Sequence, residues 1–269
     1  MALVRAISDS IADCELTHVQ RDPIDITIAR TQHAGYVDAL RDAGCTVIEL
    51  PAAHDLPDAV FVEDTAIVLD ELAIVTLPGA SSRRGETDAV AVELARHRPV
   101  IPMTGPAELD GGDVLRLGRT LFVGVGGRTN EEGVRWLGAT TAPFGYRVVP
   151  VHARGCLHLK TAVTAVRSDL LLVNPGWVDC DTFGDVRHIE TAPDEPFAAN
   201  ALFIGGRVIY PVAFPATLRR LTEAGVDVLP VDVSELAKAE GGVTCCSIIV
   251  DGEGLLPGAG SPDASGDVQ

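Results

Sequence analysis

The feature that most constrains the fold of this chain is a repeat in its hydrophobic pattern. Four segments each begin with a polar or small residue and continue with an apolar strand, a short turn and a second apolar strand. These segments are EDTAIVLDELAIVTLPG from Glu63, GGDVLRLGRTLFVGV from Gly111, KTAVTAVRSDLLLVNPG from Lys160 and ANALFIGGRVIYPVAF from Ala199. Strand, turn and strand in this order are typical of β-hairpins. The pattern therefore predicts a chain built from repeated hairpin units.

A fifth opening strand, CCSIIVDGEG, begins at Cys245 and has no second half after it. The five units are then led by equivalent polar positions, at spacings of 49, 48, 39 and 45 residues. These positions are Asp64, Asp113, Thr161, Asn200 and Cys245. The near-regular spacing favours true repeats over the alternative, a generic α/β sheet in which the spacing is accidental.

Helical patterns, each followed by one more strand, separate most of the hairpins. TDAVAVELARHR precedes PVIPM, NEEGVRWLGAT precedes YRVVPVH, PATLRRLTEAG precedes VDVLPVD, and near the N-terminus TQHAGYVDALRDAG precedes CTVIEL. The strand LVRAIS near the start would complete the hairpin that Cys245 opens. The sequence thus predicts a five-bladed α/β propeller of ββαβ units with pseudo-fivefold symmetry, whose leading residues meet at a central concave site. The third unit fits least well, because GWVDCDTFGDVRHIETAP lacks a clear amphipathic helix.

Length and composition limit the class of protein. A chain of 269 residues is long enough for one large core, and residues 1–256 are expected to form a single α/β-propeller catalytic domain. Residues 257–269 are rich in Gly, Pro, Ser and Asp and are predicted to form a disordered tail. The sequence leaves the oligomeric state open, a homodimer included.

Charge and cysteine usage narrow the partners. A formal net charge of −17 argues against a nucleic-acid partner, since phosphates would be repelled over most of the surface. No segment reaches the roughly 20 apolar residues that span a bilayer, so no membrane contact is expected. The six cysteines show no zinc spacing and are too sparse for a disulfide framework. We therefore expect a cytoplasmic protein with reduced thiols and no metal.

Two residues are the leading candidates for catalysis. Cys245 lies where a Gly-Gly loop, in GGVTCCSIIV, runs into an apolar strand at the polar start of a unit. A buried, inert cysteine is the ordinary alternative, and Cys246, its neighbour, is expected to face the core. His158, in GCLHLKTAV, comes just before the third hairpin and is the best candidate for a general acid and base. A structural or surface histidine is the alternative.

Acidic and basic residues near the unit starts suit a zwitterionic ligand with a cationic end. Asp110 and Asp113 flank paired glycines in ELDGGDVL, and a turn-forming role is equally compatible with that spacing. A denser cluster in LPDAVFVEDTA comprises Asp58, Phe61, Glu63 and Asp64, for which a solvated acidic loop is the alternative. Arg83 and Arg128 follow hairpins in loops, where arginines can hold a carboxylate or simply add solubility.

Taken together, these motifs resemble the dimethylarginine dimethylaminohydrolase family, within the guanidino-group-modifying superfamily of five-bladed α/β propellers. The matching pieces, in the order of the family, are DAVFVED, SRR, LDGGDVL, FVGVGGRTN, CLHLK, PFAAN and GGVTCCS. The resemblance runs from about Leu3 to Val250. The loop ADCELTHVQRDPID is similar to the lid of that family.

The resemblance implies a role for each candidate residue. Cys245 would attack the guanidinium carbon, His158 would protonate the leaving amine and then activate water, and Asp110 would support the histidine. The implied substrate contacts are Asp64 at the guanidinium, Arg83 and Arg128 at the α-carboxylate, Asp58 and the Leu16 carbonyl at the α-amino group, Phe61 beside the substrate and the Glu240 carbonyl at the reacting end. Glu63, from the acidic cluster, is a further candidate for substrate binding.

The implied reaction is hydrolysis of Nω-methylated arginines to citrulline and methylamines through a covalent Cys245 intermediate, without a cofactor. An arginine deiminase or an amidinotransferase with the same cysteine, histidine and carboxylates is the nearest alternative. Chains of those kinds are usually longer, and 269 residues leave little room for their insertions. A non-catalytic binding protein on the same scaffold is the alternative from another class.

Overall fold

Within residues 1–250, which the computed structural model describes, the strands form five separate three-stranded sheets. In each sheet the middle strand pairs antiparallel with one neighbour and parallel with the other. A hairpin gives the antiparallel pair and a crossover gives the parallel one, which is the ββαβ connectivity. The predicted five-unit α/β propeller is confirmed. The predicted tail, residues 257–269, lies outside the described residues.

The strands are short, and each sheet takes its members from one unit. In chain order they are β1 (Ala2–Arg5), β2 (Val47–Leu50), β3 (Ala66–Val68), β4 (Ala73–Val75), β5 (Val100–Pro102), β6 (Val114–Leu117), β7 (Thr120–Gly124), β8 (Arg147–Val151), β9 (Val163–Arg167), β10 (Leu170–Val173), β11 (Arg187–Glu190), β12 (Leu202–Ile204), β13 (Arg207–Pro211), β14 (Val228–Val231) and β15 (Ile248–Ile249). They pair in the orders β3-β4-β5, β6-β7-β8, β9-β10-β11, β12-β13-β14 and β15-β1-β2.

The helices connect the strands of the units. They are α1 (Ile26–Asp42), α2 (Thr87–Leu94), α3 (Glu131–Thr141), α4 (Leu159–Ala162), α5 (Pro215–Glu223) and α6 (Ser234–Ala237). Helix α1 begins five residues before the predicted TQHAGY pattern, because the Asp25 side chain accepts hydrogen bonds from the backbone N–H groups of Thr27 and Ile28. In the described residues, no helix is both long and apolar enough to cross a bilayer.

The third unit lacks an α-helix between β10 and β11, as its sequence suggests. A 3-10 helix, Cys180–Phe183, takes that place. The Phe183 ring packs against Phe122 of the second unit, with ring centroids 5.0 Å apart. One aromatic contact therefore covers a face that a helix covers in the other units.

The fifth unit is assembled from both ends of the described chain. Strand β15 pairs antiparallel with β1, with Leu3 opposite Ile248, and β1 pairs parallel with β2. The predicted closure of the chain on itself is confirmed, but the opening strand begins three residues later than expected. Cys245 and Cys246 lie in the turn before β15, where the Ser247 N–H approaches the Thr244 carbonyl at 3.4 Å.

The starts of the five units meet at the axis, as the repeat predicts. Each start is hydrogen-bonded to the next, and the five contacts close a ring. They are Gly112 N–H to Asp64 Oδ1 (3.0 Å), Leu159 N–H to Asp113 Oδ1 (2.9 Å), Asn200 Nδ2 to the Lys160 carbonyl (3.1 Å), Thr244 N–H to Asn200 Oδ1 (3.1 Å) and Glu63 N–H to the Cys245 carbonyl (3.1 Å). The backbone groups at the unit starts lie outside the sheets, and this ring supplies hydrogen-bond partners for the buried ones among them.

Candidate active site

Cys245 is held at the axis by a tightly packed Gly-Gly turn. A Cβ on Gly241 would lie 2.1 Å from the Phe61 ring, and one on Gly242 would lie 2.4 Å from Asn200 Oδ1. Glycine is therefore needed at both positions for the loop to approach its neighbours. Cys246 belongs to the apolar core, as expected, so Cys245 is the thiol of this pair that lines a cavity.

His158 lies beside two carboxylates at the start of α4. Its Nε2 is 3.1 Å from Asp110 Oδ2, and its Nδ1 is 3.7 Å from Asp64 Oδ1. Gly112 makes room for the ring, since a Cβ there would lie 2.8 Å from Nδ1. Burial lowers the pKa of His158, but Asp64, Asp110 and Asp113 outweigh burial and raise that pKa to about 9. The imidazole is therefore protonated at neutral pH.

Two aspartates with different tasks support the histidine. Asp110 is fully buried, and its Oδ1 accepts the Gly79 N–H at 3.0 Å while its Oδ2 faces the imidazole. Asp113 does not line the cavity that Cys245 and His158 share but accepts hydrogen bonds from the Thr129 hydroxyl at 2.6 Å and from the Leu159 N–H at 2.9 Å. Burial raises the pKa of Asp113 to about 6. Asp110 therefore orients the imidazole, and Asp113 anchors the loop that carries it.

Asp64 and Arg83 form a buried ion pair at the floor of the site. Arg83 Nη1 lies 2.6 Å from Asp64 Oδ2, and Arg83 Nη2 lies 2.8 Å from Glu86 Oε2. Burial alone would raise the pKa of Asp64, but His158 and Arg83 lower it to about 2. Burial raises the pKa of Glu86 to about 7 despite the arginine. Asp64 is thus a permanent anion, and most donors of Arg83 are already engaged.

Glu63 lies beneath the site. Its Oε1 is paired with Lys160 Nζ at 2.6 Å, and its Oε2 accepts the Thr244 hydroxyl at 2.7 Å. The sequence names Glu63 as a binding candidate in the acidic cluster and Lys160 only as the start of a unit, and it gives no signal for Thr244. Within the described chain, Glu63 does not line the cavity that Cys245 and His158 share; it lines a separate cavity with Lys160 and Thr244.

The outer part of the site is formed by Asp58, Arg128 and the lid segment, residues 12–25. Asp58 Oδ2 accepts the Glu15 N–H at 3.1 Å, and burial raises the pKa of Asp58. Arg128 Nη2 reaches the Thr17 hydroxyl at 3.4 Å. Arg128 Nη1 is buried, and within residues 1–250 it has no hydrogen-bond partner. An unpaired buried donor of this kind is suited to an anionic ligand group.

Glu240 holds the lid through its carboxylate. Oε2 accepts the Thr17 N–H at 2.9 Å, and Oε1 accepts the N–H groups of His18 and of Val19, the latter at 2.8 Å. Glu240 has a φ of +58°, a strained value for a residue other than glycine. The sequence predicts a substrate contact for the Glu240 backbone carbonyl but gives no signal for this carboxylate clamp.

These groups enclose a cavity of about 300 Å³, called here the charged cavity. Cys245 and His158 line it, together with six of the binding candidates: Asp58, Phe61, Asp64, Arg83, Arg128 and Glu240. Asp110 lies behind the histidine. Leu16 is half-buried and packs against the core, so the described structure does not bring its side chain to this cavity.

The thiol itself is neutral in this arrangement. Burial and the negative charges of Glu63 and Asp64 raise the pKa of Cys245 to about 12. A thiolate is the reactive form of cysteine. The site therefore has a nucleophile that becomes active only when a positive charge is added nearby.

Asp64, Asp110 and His158 also place three potential metal-ligand atoms within 4.8 Å of one another. Metal binding requires a neutral imidazole, whereas His158 has a pKa of about 9 and Asp64 is paired with Arg83. The donor set therefore fits a proton-transfer network better than a resident metal.

Comparison with known proteins gives consistent matches. The family model described as N,N dimethylarginine dimethylhydrolase, eukaryotic, matches residues 15–191. An N(G),N(G)-dimethylarginine dimethylaminohydrolase from Streptomyces coelicolor is 40% identical over 248 residues, which are 92% of this chain and 95% of the relative.

Two solved structures of dimethylarginine dimethylaminohydrolases share the fold of this chain, and each contains citrulline or a citrulline analogue. A cysteine-to-serine variant of the Pseudomonas aeruginosa dimethylarginine dimethylaminohydrolase, complexed with citrulline, superposes with a TM-score of 0.88 at 33% identity, covering 92% of this chain and 97% of that one. A histidine-to-glycine variant of a dimethylarginine dimethylaminohydrolase, solved as an adduct with S-methyl-L-thiocitrulline, has the same TM-score of 0.88 and 33% identity, over 92% of this chain and 98% of the other.

Proposed function

This chain belongs to the dimethylarginine dimethylaminohydrolase family, and from that premise we propose that it hydrolyses Nω-methylated arginines to citrulline and methylamines. The observation that carries the proposal is the meeting of Cys245, His158 and Asp110 at the axis, with the thiol and the imidazole facing one charged cavity. A nucleophile, a proton donor and a residue that orients the donor are the parts that covalent hydrolysis requires.

The cavity matches the charges of an arginine at both of its ends. Asp64 is an anion at the floor, so it suits the guanidinium. Arg128 offers a buried N–H that is unpaired within residues 1–250 for the α-carboxylate, and we assign the α-amino group to Asp58 and to the Leu16 carbonyl. Arg83 faces the same cavity but also neutralises Asp64 and Glu86, so its main contribution is to position Asp64. Phe61 packs beside the bound side chain, and the Glu240 carbonyl lies at the reacting end.

The first half of the reaction forms a covalent bond to sulfur. The substrate cation lowers the pKa of Cys245, and the thiol proton passes to solvent as the substrate binds. The thiolate attacks the guanidinium carbon to give a tetrahedral adduct. The His158 imidazolium then donates its proton to the departing nitrogen, the carbon–nitrogen bond breaks, and the methylamine leaves. A thiouronium-like intermediate remains on Cys245.

The second half uses the imidazole that the first half has made neutral. His158 accepts a proton from water, which attacks the carbon of the intermediate. The carbon–sulfur bond then breaks, the remaining proton of the water passes to the departing sulfur, and citrulline and the neutral thiol are released. Asp110 keeps Nε2 of the ring in place through both halves. Glu63, bound to Lys160 and Thr244 beneath the thiol, keeps Cys245 neutral between turnovers.

The first experiment compares release of citrulline and amine from asymmetric dimethylarginine, monomethylarginine and arginine. Preferential turnover of the methylated substrates supports the proposal. Turnover of arginine alone would identify a deiminase, and transfer of the amidino group to an added amine would identify an amidinotransferase. A folded protein that is inactive on all three would favour the binding-protein alternative.

Cys245→Ser is the matched variant for the covalent step. A hydroxyl cannot supply the thiolate, so turnover should fall by at least about a thousandfold. Folding, measured by the thermal midpoint, and binding of methylarginine, measured by calorimetry, should change little. Normal turnover by Cys245→Ser would contradict covalent catalysis at this residue.

The compartment is part of the same proposal. All six cysteines of the chain are free in the structure. Free thiols are typical of a reducing environment, so we place the protein in the cytoplasm.

A further inference from the structure

Cys245 lies at the boundary between two cavities. One is the charged cavity of about 300 Å³, and the other, called here the apolar chamber, has a volume of about 910 Å³. The two share Leu157, Glu240, Gly241 and Cys245 in their linings. The chamber is therefore a continuation of the site beyond the thiol.

The walls of this chamber are hydrophobic side chains from five separate segments of the chain. They include Val19 of the lid segment, Leu157, Phe197, Phe214, Val233 and Ala237. A surface of this composition favours an aliphatic group and disfavours a second charge.

Two polar side chains of the chamber lining, Glu240 and Asn200, are already engaged, and the other polar residues of the lining are His18, Thr161 and Ser234. The carboxylate of Glu240, the one acidic side chain in the chamber lining of the described chain, is turned to the lid amides. Asn200 donates to the Lys160 carbonyl and to the Thr244 hydroxyl, and its Oδ1 accepts the Thr244 N–H. Because these two groups are engaged and most of the lining is apolar, the chamber suits an aliphatic group better than the charged α-amino or α-carboxylate end of a substrate.

The position of His158 decides which part of the substrate faces the chamber. The leaving nitrogen must lie near the imidazole to receive its proton. Leu157, the residue before His158, lines both cavities. With the amino-acid end at Asp58 and Arg128, a substituent on the leaving nitrogen extends past Leu157 and Cys245 into the chamber.

We propose that the apolar chamber is a subsite for Nω-alkyl groups larger than methyl, so that the substrate class includes Nω-alkylarginines with linear chains of three or four carbons. The alkyl chain leaves as the corresponding primary amine, and citrulline is the common product. The assignment rests on the proposed function, because the same thiol and imidazole carry out both turnovers. Methyl groups reach only the mouth of the chamber, while a butyl group fills its inner part.

The experiment is a substrate series of Nω-methyl-, ethyl-, propyl- and butyl-L-arginine, with kcat/KM measured from citrulline and with the amine identified by mass spectrometry. We expect the butyl-to-methyl ratio of kcat/KM to stay within about threefold of one. The favourable burial of the added methylenes offsets the conformational entropy that the alkyl chain loses when it is held in the chamber. A fall of a hundredfold or more from methyl to butyl would overturn the chamber assignment and leave the proposed function standing. No turnover of any member, by a folded protein, would overturn both.

Two substitutions that fill the chamber test the location. Ala213 and Ala237 both line it and are both exposed, so a larger side chain at either position is compatible with folding. Ala213→Phe and Ala237→Phe should each lower the butyl-to-methyl ratio at least tenfold. Ala139→Phe, on the exposed face of α3 away from this lining, is the matched control and should leave the ratio unchanged. Equal ratios in all three variants and the parent would place the alkyl group elsewhere.

Discussion

The thiol of Cys245 lies among groups whose charges oppose its ionisation. Glu63 and Asp64 add to the effect of burial, and together they raise the pKa of Cys245 to about 12. Arg83, which lines the same cavity, is paired with Asp64 and Glu86, and Lys160 is paired with Glu63. Reactive cysteines commonly sit beside a free cation that stabilises the thiolate. The protonated His158 lines the same cavity as Cys245, but it is paired with Asp64 and Asp110, so the guanidinium of the substrate is the cation that remains to stabilise the thiolate.

This arrangement predicts how alkylation of Cys245 depends on pH. With neutral iodoacetamide, the inactivation rate should rise about tenfold per pH unit from pH 7 to pH 10 without a plateau, because the thiolate fraction grows until the pKa is reached. With a cationic reagent such as chloroacetamidine, the plateau should appear at a lower pH, because the reagent stabilises the thiolate. Modification is followed by mass spectrometry of the Cys245 peptide.

Cys245→Ser controls for reaction at the other cysteines. A plateau near pH 7 with iodoacetamide would contradict the neutral resting thiol, since it would indicate a pKa far below the value that burial and the carboxylates impose. Identical profiles for the two reagents would contradict activation by the substrate cation.

The sequence predicts the residues of the candidate site where their place in the repeat determines their role. Cys245 leads a unit, and the other catalytic candidates lie within motifs at the unit starts. The partners of Arg83 were not accessible, because they depend on how the loop after β4 folds against residues 58–64. The sequence does not predict a role for Thr244, because that role depends on the hydrogen bond from its hydroxyl to Glu63, a residue far away in the chain.

At the scale of elements, the lid is attached to the residues that line the site. The Glu240 carboxylate accepts N–H groups from three consecutive lid residues, and Asp58 accepts a fourth from Glu15. Glu240 directly precedes the Gly-Gly turn of Cys245. Movement of the lid is therefore coupled to the loop that carries the nucleophile.

Glu240→Gln should loosen the lid without removing the backbone that follows it. An amide keeps one neutral acceptor in place of two charged oxygens, so it cannot hold three N–H groups equally well. We expect KM for methylarginine to rise about three- to tenfold, with kcat changed less, and amide hydrogen exchange to increase in residues 15–20. Glu223→Gln, an exposed glutamate at the end of α5, is the control. Unchanged exchange in the lid of Glu240→Gln would show that the carboxylate does not hold it.

Elements were predictable where local pattern decides them. Helix α3 follows its predicted segment within one residue and is capped by Asn130, which accepts the Gly133 N–H at 2.7 Å. The 3-10 turns Val62–Thr65 and Gly111–Asp113 at the unit starts were not predicted. Side chains in both turns accept backbone N–H groups from the next unit, Asp64 from Gly112 and Asp113 from Leu159, and no local pattern reveals such partners.

At the scale of the whole molecule, the five units form one closed ring, and the ring is closed by the two ends of the described chain. Strand β1 is buried at every residue and lies between β15 and β2. Leu3 packs in the cluster that joins the fifth unit to the first, together with Val62 and Leu94. The sequence predicts that the two ends close the ring, because both LVRAIS and CCSIIV lack a partner strand elsewhere. The sequence does not predict the hydrogen bonds at the axis, because they join residues that are far apart in the chain.

Closure also predicts which terminal segment the fold depends on. Deleting residues 1–5 removes the middle strand of a sheet, leaves β2 and β15 unpaired and opens the core beside the Cys245 turn. That protein should be inactive and should lack a cooperative urea transition. Residues 257–269, which the sequence predicts to form a disordered tail, lie outside the described residues, and their deletion should change the free energy of unfolding by less than about 0.5 kcal/mol and leave turnover intact. Leu3→Ala is the intermediate case, in which loss of a fully buried side chain should cost about 3 kcal/mol while the fold survives. Cooperative unfolding at the parental midpoint without residues 1–5 would show that the ring does not need its closing strand.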